Sequence, residues 1–212
     1  MKTAIIGLGN IGSRIAANLV AAGEPVIVSE RNLAKAAQFA AGLGEKAEAM
    51  PIDNALKNGD IIILAIMFDA MKEFVPLHRA ELAGKIVVDP SNPVAPDGNG
   101  GFRKTIPAGQ SSGEIIAGLL PADAKLVKAF GTLGARSLGS GANRTPERAV
   151  LFYATDYPDA GRMVARLITR SGFAAVDVGG IEQSIRIEAF GDLSEYGKLG
   201  RLVSEAEARA LI

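Results

Sequence analysis

The chain has 212 residues, 48% of them hydrophobic and 22% charged, so it can bury a full core and is neither a disordered nor a fibrous sequence. Lys and Arg together number 23, as do Asp and Glu, and this zero net charge gives no reason to expect a nucleic acid or a membrane as a partner. The chain has no cysteine and one histidine, which excludes disulfides, thiolate metal sites and multi-histidine sites, and we predict no metal.

The first thirty residues predict a strand, a turn, a helix and a second strand. Residues Thr3 to Ile6 are apolar and mostly β-branched, which favours a strand, and the glycine-rich stretch from Gly7 to Gly12 favours a turn. Apolar residues then recur at helical spacing until Gly23, and a short apolar run at 26–28 predicts the second strand.

The rest of the chain alternates strand and helix patterns. This alternation predicts the α/β class, with a Rossmann-type doubly wound, mainly parallel sheet and a short C-terminal α/β extension. The further predicted strands are 47–50, 61–66, 85–89, 125–130, 148–155 and 174–178. The further predicted helices run from Asn32 towards Gly42, after Pro51, over 70–77, 112–119 and 159–171, and through most of the segment after 178.

Domain organisation follows from the same pattern. We predict a dinucleotide-binding Rossmann domain over 1–146 and, over 147–212, a C-terminal extension or small lobe that packs on the same sheet. Two stretches rich in Gly, Pro, Ser or Asn, 90–109 and 131–146, predict long loops, which are often functional in a compact domain. The longest strongly apolar run, 61–68, is far too short for a membrane span, and polar residues interrupt the N-terminus where a signal peptide is apolar, so we expect a cytoplasmic protein.

Residues Gly7, Leu8, Gly9, Asn10, Ile11 and Gly12 form a G-x-G-x-x-G motif directly after a predicted strand and before a predicted helix. In a dinucleotide-binding turn the first glycine makes the turn, the second lets the backbone approach a pyrophosphate, and the third allows helix and strand to pack closely. The N–H groups at the start of the helix then face the anion. We therefore predict a dinucleotide site here.

Glu30 lies at the end of the second predicted strand, where dinucleotide-binding folds place the side chain that contacts the adenosine ribose. A carboxylate accepts hydrogen bonds from both ribose hydroxyls and repels a 2′-phosphate, which favours NAD. Arg31 and Lys35 follow, and cations at these positions favour a 2′-phosphate instead. We predict NAD, with NADP as the alternative.

No familiar catalytic arrangement of side chains is present. The sequence lacks a phosphate-binding loop of the G-x-x-x-x-G-K-[ST] type, a G-x-S-x-G elbow and a Tyr-x-x-x-Lys pair. The catalytic residues are therefore left unassigned.

Five motifs occur in order along the chain: Gly7-Leu-Gly-Asn-Ile-Gly12, Asp60-Ile-Ile-Ile-Leu-Ala65, Val88-Asp-Pro-Ser-Asn-Pro93, Lys128-Ala-Phe-Gly-Thr132, and Asp177-Val-Gly-Gly180 with Arg186 and Glu188. Together they resemble the NADP oxidoreductases dependent on the deazaflavin coenzyme F420, and equally the nicotinamide-binding domain of the six-transmembrane ferric reductases. The resemblance implies a Rossmann-type enzyme, usually a homodimer, that transfers a hydride between a nicotinamide and a deazaflavin or flavin. Arg186 and Glu188, two positions apart, are expected to make separate contacts.

The resemblance also implies roles for individual residues. Leu8, Asn10 and Ile11 would contact the pyrophosphate, and Ala65, Ile66 and Met67 would contact the middle of the cofactor. Asn92 and Pro93 would border the nicotinamide. The second substrate, coenzyme F420 or a flavin, would stack near Phe130, Gly131 and Thr132.

Two other functions stay open. One is a dehydrogenase or imine reductase for a small carbonyl or imine substrate, although such enzymes usually carry a long helical C-terminal domain. The other is a module that binds NAD(P) without catalysis and signals through a partner. Detectable turnover separates this module from both kinds of enzyme.

Overall fold

The computed structural model describes residues 1–212, and its centre is an eight-stranded sheet with the strand order β10-β9-β8-β5-β4-β1-β2-β3. A separate two-stranded hairpin consists of β6 and β7. The strands are β1 Thr3–Ile6, β2 Val26–Ser29, β3 Ala47–Ala49, β4 Ile61–Leu64, β5 Ile86–Asp89, β6 Val94–Pro96, β7 Phe102–Lys104, β8 Lys125–Ala129, β9 Val150–Ala154 and β10 Ala174–Asp177. The predicted Rossmann-type α/β fold is confirmed.

Ten α-helices connect or flank the strands, and none of them is long and apolar enough to cross a membrane. They are α1 Asn10–Ala21, α2 Leu33–Leu43, α3 Ile52–Asn58, α4 Phe68–Leu77, α5 Arg79–Leu82, α6 Ser112–Leu119, α7 Ala135–Ser140, α8 Pro158–Arg170, α9 Ser184–Ile187 and α10 Glu205–Arg209. Asn32 and Ser111 cap α2 and α6 through their side chains, as their residue types favour.

The parallel strands are buried on both faces because alternate residues contribute to two different cores. In β4, for example, Ile61 and Ile63 pack in one cluster with α1, α2 and α8, while Ile62 and Leu64 pack in the other with α3, α4 and α6. The strands β1, β2, β3, β4, β5 and β8 all run in one direction. We call the side of the sheet where they finish its carboxyl end.

The sheet reverses direction between β8 and β9. β9 pairs antiparallel with β8, with Lys128 opposite Ala154, and β10 then pairs parallel with β9. An antiparallel neighbour needs no crossover, and within the segment 130–149 the helix α7 packs against α1, where the carbonyl oxygen of Leu138 accepts from Asn18 Nδ2 at 2.9 Å. The last third of the chain therefore continues the same sheet in the opposite direction.

Three local predictions were wrong. The loop predicted over 90–109 contains the β6–β7 hairpin, and the loop predicted over 131–146 contains α7. The segment after 178, predicted to be mostly helical, has only a 3₁₀ turn at Ile181–Gln183 and the short helices α9 and α10, with irregular backbone over 188–203. Strands of three residues and a helix rich in glycine and serine are too short to show periodicity, and glycines at 191, 197 and 200 break the helical pattern near the end.

Candidate dinucleotide and substrate site

The turn between β1 and α1 is closed tightly around two of its three glycines. Gly7 has a φ of 96°, in the left-handed region that glycine favours, and its N–H donates to the carbonyl oxygen of Ser29 at 2.8 Å. A Cβ at Gly7 would lie 2.5 Å from the carbonyl oxygen of Ala65, and a Cβ at Gly12 would overlap the carbonyl oxygen of Gly7. Both positions therefore require glycine for the protein's own packing.

Gly9 differs from the other two glycines. Apart from its own neighbours in the chain, a Cβ built there has no protein atom within 4 Å, so the fold itself does not require glycine at this position. Helix α1 begins at this point with no side-chain cap and no acidic residue in its first turn. The N–H groups of Asn10, Ile11 and Gly12 donate to no group of the protein. Open space beside unpaired N–H groups fits an anion such as a pyrophosphate.

The side chains proposed to contact the ribose follow β2. Glu30 is half-buried, Arg31 and Lys35 are exposed, and none of the three takes part in an ion pair. The side chain of Asn32 accepts a hydrogen bond from the backbone N–H of Lys35 at 3.2 Å, which fixes the start of α2. The three charged side chains are therefore available to a ligand.

The remaining residues predicted to contact the cofactor lie in or just after the parallel strands. Leu8 and Ile11 are half-buried against the core, and Ala65 and Ile66 are half-buried after β4. Met67 follows with 66% of its surface exposed. Because parallel strands finish at one side of a sheet, the structure brings these positions to the carboxyl end together with the glycine turn.

Asn92 connects three segments rather than projecting freely. Its Nδ2 donates to the carbonyl oxygen of Gly131 at 2.9 Å, and its Oδ1 accepts from the N–H of Ala189 at 2.6 Å. Both ends of the amide are thus used within the protein, and Pro93 beside it is buried. A role at the nicotinamide would have to combine with this bridging role.

The residues predicted for the second substrate are more buried than expected. Phe130 is fully buried in the core and adopts a left-handed φ of 65°. A Cβ at Gly131 would lie 2.9 Å from the carbonyl oxygen of Pro90. The buried hydroxyl of Thr132 has no hydrogen-bond partner in the protein. In this structure the Phe130 ring is thus not exposed for stacking, and contacts here would be made by backbone atoms and the Thr132 hydroxyl.

A buried cluster at the carboxyl end was not predicted. The Nζ of Lys128, on β8, donates to Asp89 Oδ2 at 2.8 Å, to the carbonyl oxygen of Ser91 at 2.6 Å and to Ser112 Oγ at 2.7 Å. Glu188 Oε1 lies 3.8 Å from the same nitrogen. We call Asp89, Ser112, Lys128 and Glu188 the Lys128 cluster; each is at most 1% exposed.

Glu188 joins the last part of the chain to this cluster. Its carboxylate accepts from Ser112 Oγ at 2.8 Å, from the N–H of Ser112 at 3.1 Å and from the N–H of Gly113 at 3.0 Å, all at the start of α6. A negative charge at a helix N-terminus is favourable. One signal in the sequence could have indicated the cluster, namely a lysine within a strand otherwise buried on both faces, since such a charge requires a partner.

Arg186 contacts a different group, as expected. Its guanidinium donates to both carboxylate oxygens of Asp192, with the shortest distance 2.8 Å, and to the carbonyl oxygen of Leu211. This guanidinium holds the pKa of Asp192 below its ordinary value. The prediction that Arg186 and Glu188 make separate contacts is confirmed.

Comparison with known proteins agrees with this geometry. Residues 2–93 match the model of the family described as NADP oxidoreductase, coenzyme F420-dependent. The chain is 29% identical over 201 residues to an F420-dependent NADP reductase of Methanocaldococcus jannaschii, covering 89% of this chain and 88% of the relative. It is 30% identical over 188 residues to the metalloreductase STEAP3 of Rattus norvegicus, covering 89% of this chain but only 36% of that relative.

A solved structure is also similar over the whole chain. It is a hypothetical protein from Sinorhizobium meliloti, with 32% sequence identity and a TM-score of 0.85, and the match covers 97% of this chain and 96% of the other.

The fold and the glycine turn define a Rossmann-type dinucleotide-binding protein, and the Methanocaldococcus relative that it matches along most of both chains is named as an NADP reductase. Within that class, the chain is similar to the NADP oxidoreductases that depend on coenzyme F420, whose family model matches residues 2–93. The resemblance inferred from the five motifs is thereby confirmed.

Proposed function

We propose that the protein transfers a hydride between a nicotinamide cofactor and a planar deazaflavin or flavin-type acceptor. The observation that carries the proposal is the open space at Gly9 beside three unpaired N–H groups at the start of α1. Two relatives support the acceptor class, because both the Methanocaldococcus enzyme and a Methanothermobacter thermautotrophicus enzyme are named F420-dependent NADP reductases.

The proposed assignment of the cofactor site uses the residues at the carboxyl end of the sheet. The glycine turn with Leu8, Asn10 and Ile11 would hold the pyrophosphate. The rest of the cofactor would be bordered by Ala65, Ile66, Met67, Asn92 and Pro93. When bound, the cofactor supplies the hydride. The protein's own part is to align two rings and exclude water from them, since hydride transfer between two bound rings depends on alignment more than on a side-chain acid or base.

We propose NAD as the preferred cofactor, with NADP as the alternative, and each has an observation in its favour. The half-buried carboxylate of Glu30 has no ion-pair partner and would repel a 2′-phosphate, which favours NAD. Arg31 and Lys35 are unpaired and exposed, and the named relatives are NADP reductases, which favours NADP. Direct comparison of the two cofactors decides between them.

The experiment is anaerobic oxidation of NADH and of NADPH, each followed by the loss of nicotinamide absorbance with coenzyme F420, FMN or FAD as the acceptor. We expect saturable oxidation with one acceptor. Absence of turnover with every acceptor, although a nicotinamide binds, would contradict the proposal. A small carbonyl or imine substrate or a sensing role would then be the better explanation.

We also propose a homodimer, which the resemblance implies, located in the cytoplasm and divided into the two regions 1–146 and 147–212. Light scattering of the purified protein tests the dimer, and fractionation of the source cells tests the location. A truncated chain ending at residue 146 tests whether the first region folds alone. Because Lys128 would then lose Glu188, we expect this truncated chain to be markedly less stable.

A further inference from the structure

Phe190 combines two unusual features. Its backbone φ is 73°, in the left-handed region that bulky L-residues rarely adopt, and 49% of its surface is exposed. A strained backbone of this kind persists only when the surrounding structure fixes it, and such strain concentrates at functional sites. An exposed phenyl ring also forgoes the free energy of burial.

Hydrogen bonds fix the backbone on both sides of Phe190. The preceding N–H, of Ala189, donates to Asn92 Oδ1 at 2.6 Å. The N–H of Phe190 donates to the carbonyl oxygen of Tyr196 at 3.0 Å, and the N–H of Gly191 donates to that of Glu188 at 2.8 Å. These hydrogen bonds therefore fix the position of the backbone that carries the Phe190 ring.

The attachment point lies at the carboxyl end of the sheet. Glu188, two residues earlier, belongs to the Lys128 cluster, which joins the ends of β5 and β8 to the start of α6. Asn92 links Ala189 to Gly131, so one amide connects the residue before Phe190 to the residue after Phe130. Both left-handed phenylalanines thus flank the same bridge, in the region assigned to the nicotinamide and the second substrate.

We propose that the Phe190 ring stacks against the planar heteroaromatic ring of the hydride acceptor. The inference rests on the proposed function and adds a specific residue to it. Stacking suits a flat conjugated substrate. It would bury the Phe190 ring and exclude water from the face of the acceptor ring that Phe190 covers. The Phe130 ring cannot take this role in the present structure because it is fully buried.

The test compares Phe190→Ala, Phe190→Gly and Phe190→Tyr with the unchanged protein. Coenzyme F420 and FMN serve as the acceptors, and the KM for each acceptor, kcat and the Kd of the preferred nicotinamide are measured separately. We expect Phe190→Ala to raise the KM for the acceptor about 10-fold, with the nicotinamide Kd unchanged. The Tyr variant should retain the original KM.

The Phe190→Gly variant separates the effect of losing the phenyl ring from the effect of the left-handed backbone. Glycine adopts a left-handed φ without strain, so Phe190→Gly should keep the thermal midpoint yet lose as much acceptor affinity as the Ala variant. Tyr157→Ala is the matched control, because Tyr157 is 38% exposed and lies beside Ala124, which precedes β8 at the opposite end of the sheet. This control should leave both constants unchanged.

The outcomes distinguish the two proposals. If the unchanged protein oxidises a nicotinamide with an acceptor but Phe190→Ala and Phe190→Gly leave the acceptor KM unaltered, the stacking role is wrong and the proposed function stands. If the unchanged protein turns over no acceptor, both are overturned.

Discussion

The carboxyl end of the sheet contains two regions built on different principles. The glycine turn uses six consecutive residues, and its free N–H groups face open space. In the Lys128 cluster, Asp89 and Glu188 contact Lys128 although they are 39 and 60 residues away from it along the chain. No member of the cluster is more than 1% exposed. The first region is the one that we propose for binding, and the second holds distant segments together, so changes in the two regions should have different consequences.

The largest effect is expected for Lys128→Met. This change would leave the carboxylates of Asp89 and Glu188 buried without their cation, at a cost of about 3–5 kcal/mol in the free energy of unfolding. Chemical denaturation measures the loss. Lys125→Met, at the exposed start of the same strand, is the control and should change the stability by less than about 0.5 kcal/mol. Equal stabilities of the two variants would show that the cluster does not stabilise the fold.

For Gly9→Val we expect the affinity for the cofactor to fall while the stability of the fold stays nearly unchanged. The fold has room for the side chain, so the thermal midpoint should stay near that of the original protein. The side chain would occupy the space assigned to the pyrophosphate, and we expect the affinity for either nicotinamide to fall at least about 100-fold. Titration with NADH and NADPH measures this. Gly118→Val, in α6, also meets open space and should leave binding intact. Retained binding by the Gly9 variant would disprove the assignment.

A smaller effect, confined to binding, is expected for Glu30→Ser. Removing the carboxylate should shift the ratio of NADPH to NADH affinity about 10-fold towards NADPH, because the repulsion of a 2′-phosphate disappears while Arg31 and Lys35 remain. Glu45→Ser, at an exposed position after α2, serves as the control. An unchanged ratio would mean that Glu30 does not discriminate between the cofactors.

The smallest effect concerns Asp192, which pairs with Arg186 near Phe190. The lowered pKa of Asp192 means that its pairing stabilises the fold above the ordinary pKa of 3.8 and that this contribution disappears as the pH falls. Asp192→Asn should therefore cost less than about 1 kcal/mol at neutral pH, since the pair is partly exposed to solvent. Denaturation at pH 7 and pH 3 should show the difference shrinking at acidic pH. A difference that does not depend on pH would contradict this origin.

The sequence predicts the local features of this molecule well. The β1–α1–β2 unit follows from β-branched runs, helical spacing and glycine positions within thirty residues. Residue type also favours a cap by Asn32 and by one of the two serines at 111 and 112, and the structure has Asn32 and Ser111 as the caps. These features depend on neighbours along the chain, and the chain's own order is enough to show them.

The features missed depend on distant residues. The reversal at β9 is decided by where the segment 130–149 packs, which hydrophobic periodicity does not report. Lys128 lies three residues from Lys125 in one strand, and only the fold shows that one is buried and the other exposed. The bridge from Asn92 to Ala189 joins residues 97 apart. Residue types indicate that such groups need partners, but not which partners they find.

The position of Glu188 also bears on the order of events during synthesis. The ribosome delivers the chain from its amino end, so β1, α1 and β2 emerge long before the segment that carries Glu188 and Phe190. Contacts between residues this far apart form late because they close large loops. The glycine turn is thus made by the part of the chain that is synthesised first, and Phe190, which we propose to contact the acceptor, by a part that is synthesised much later.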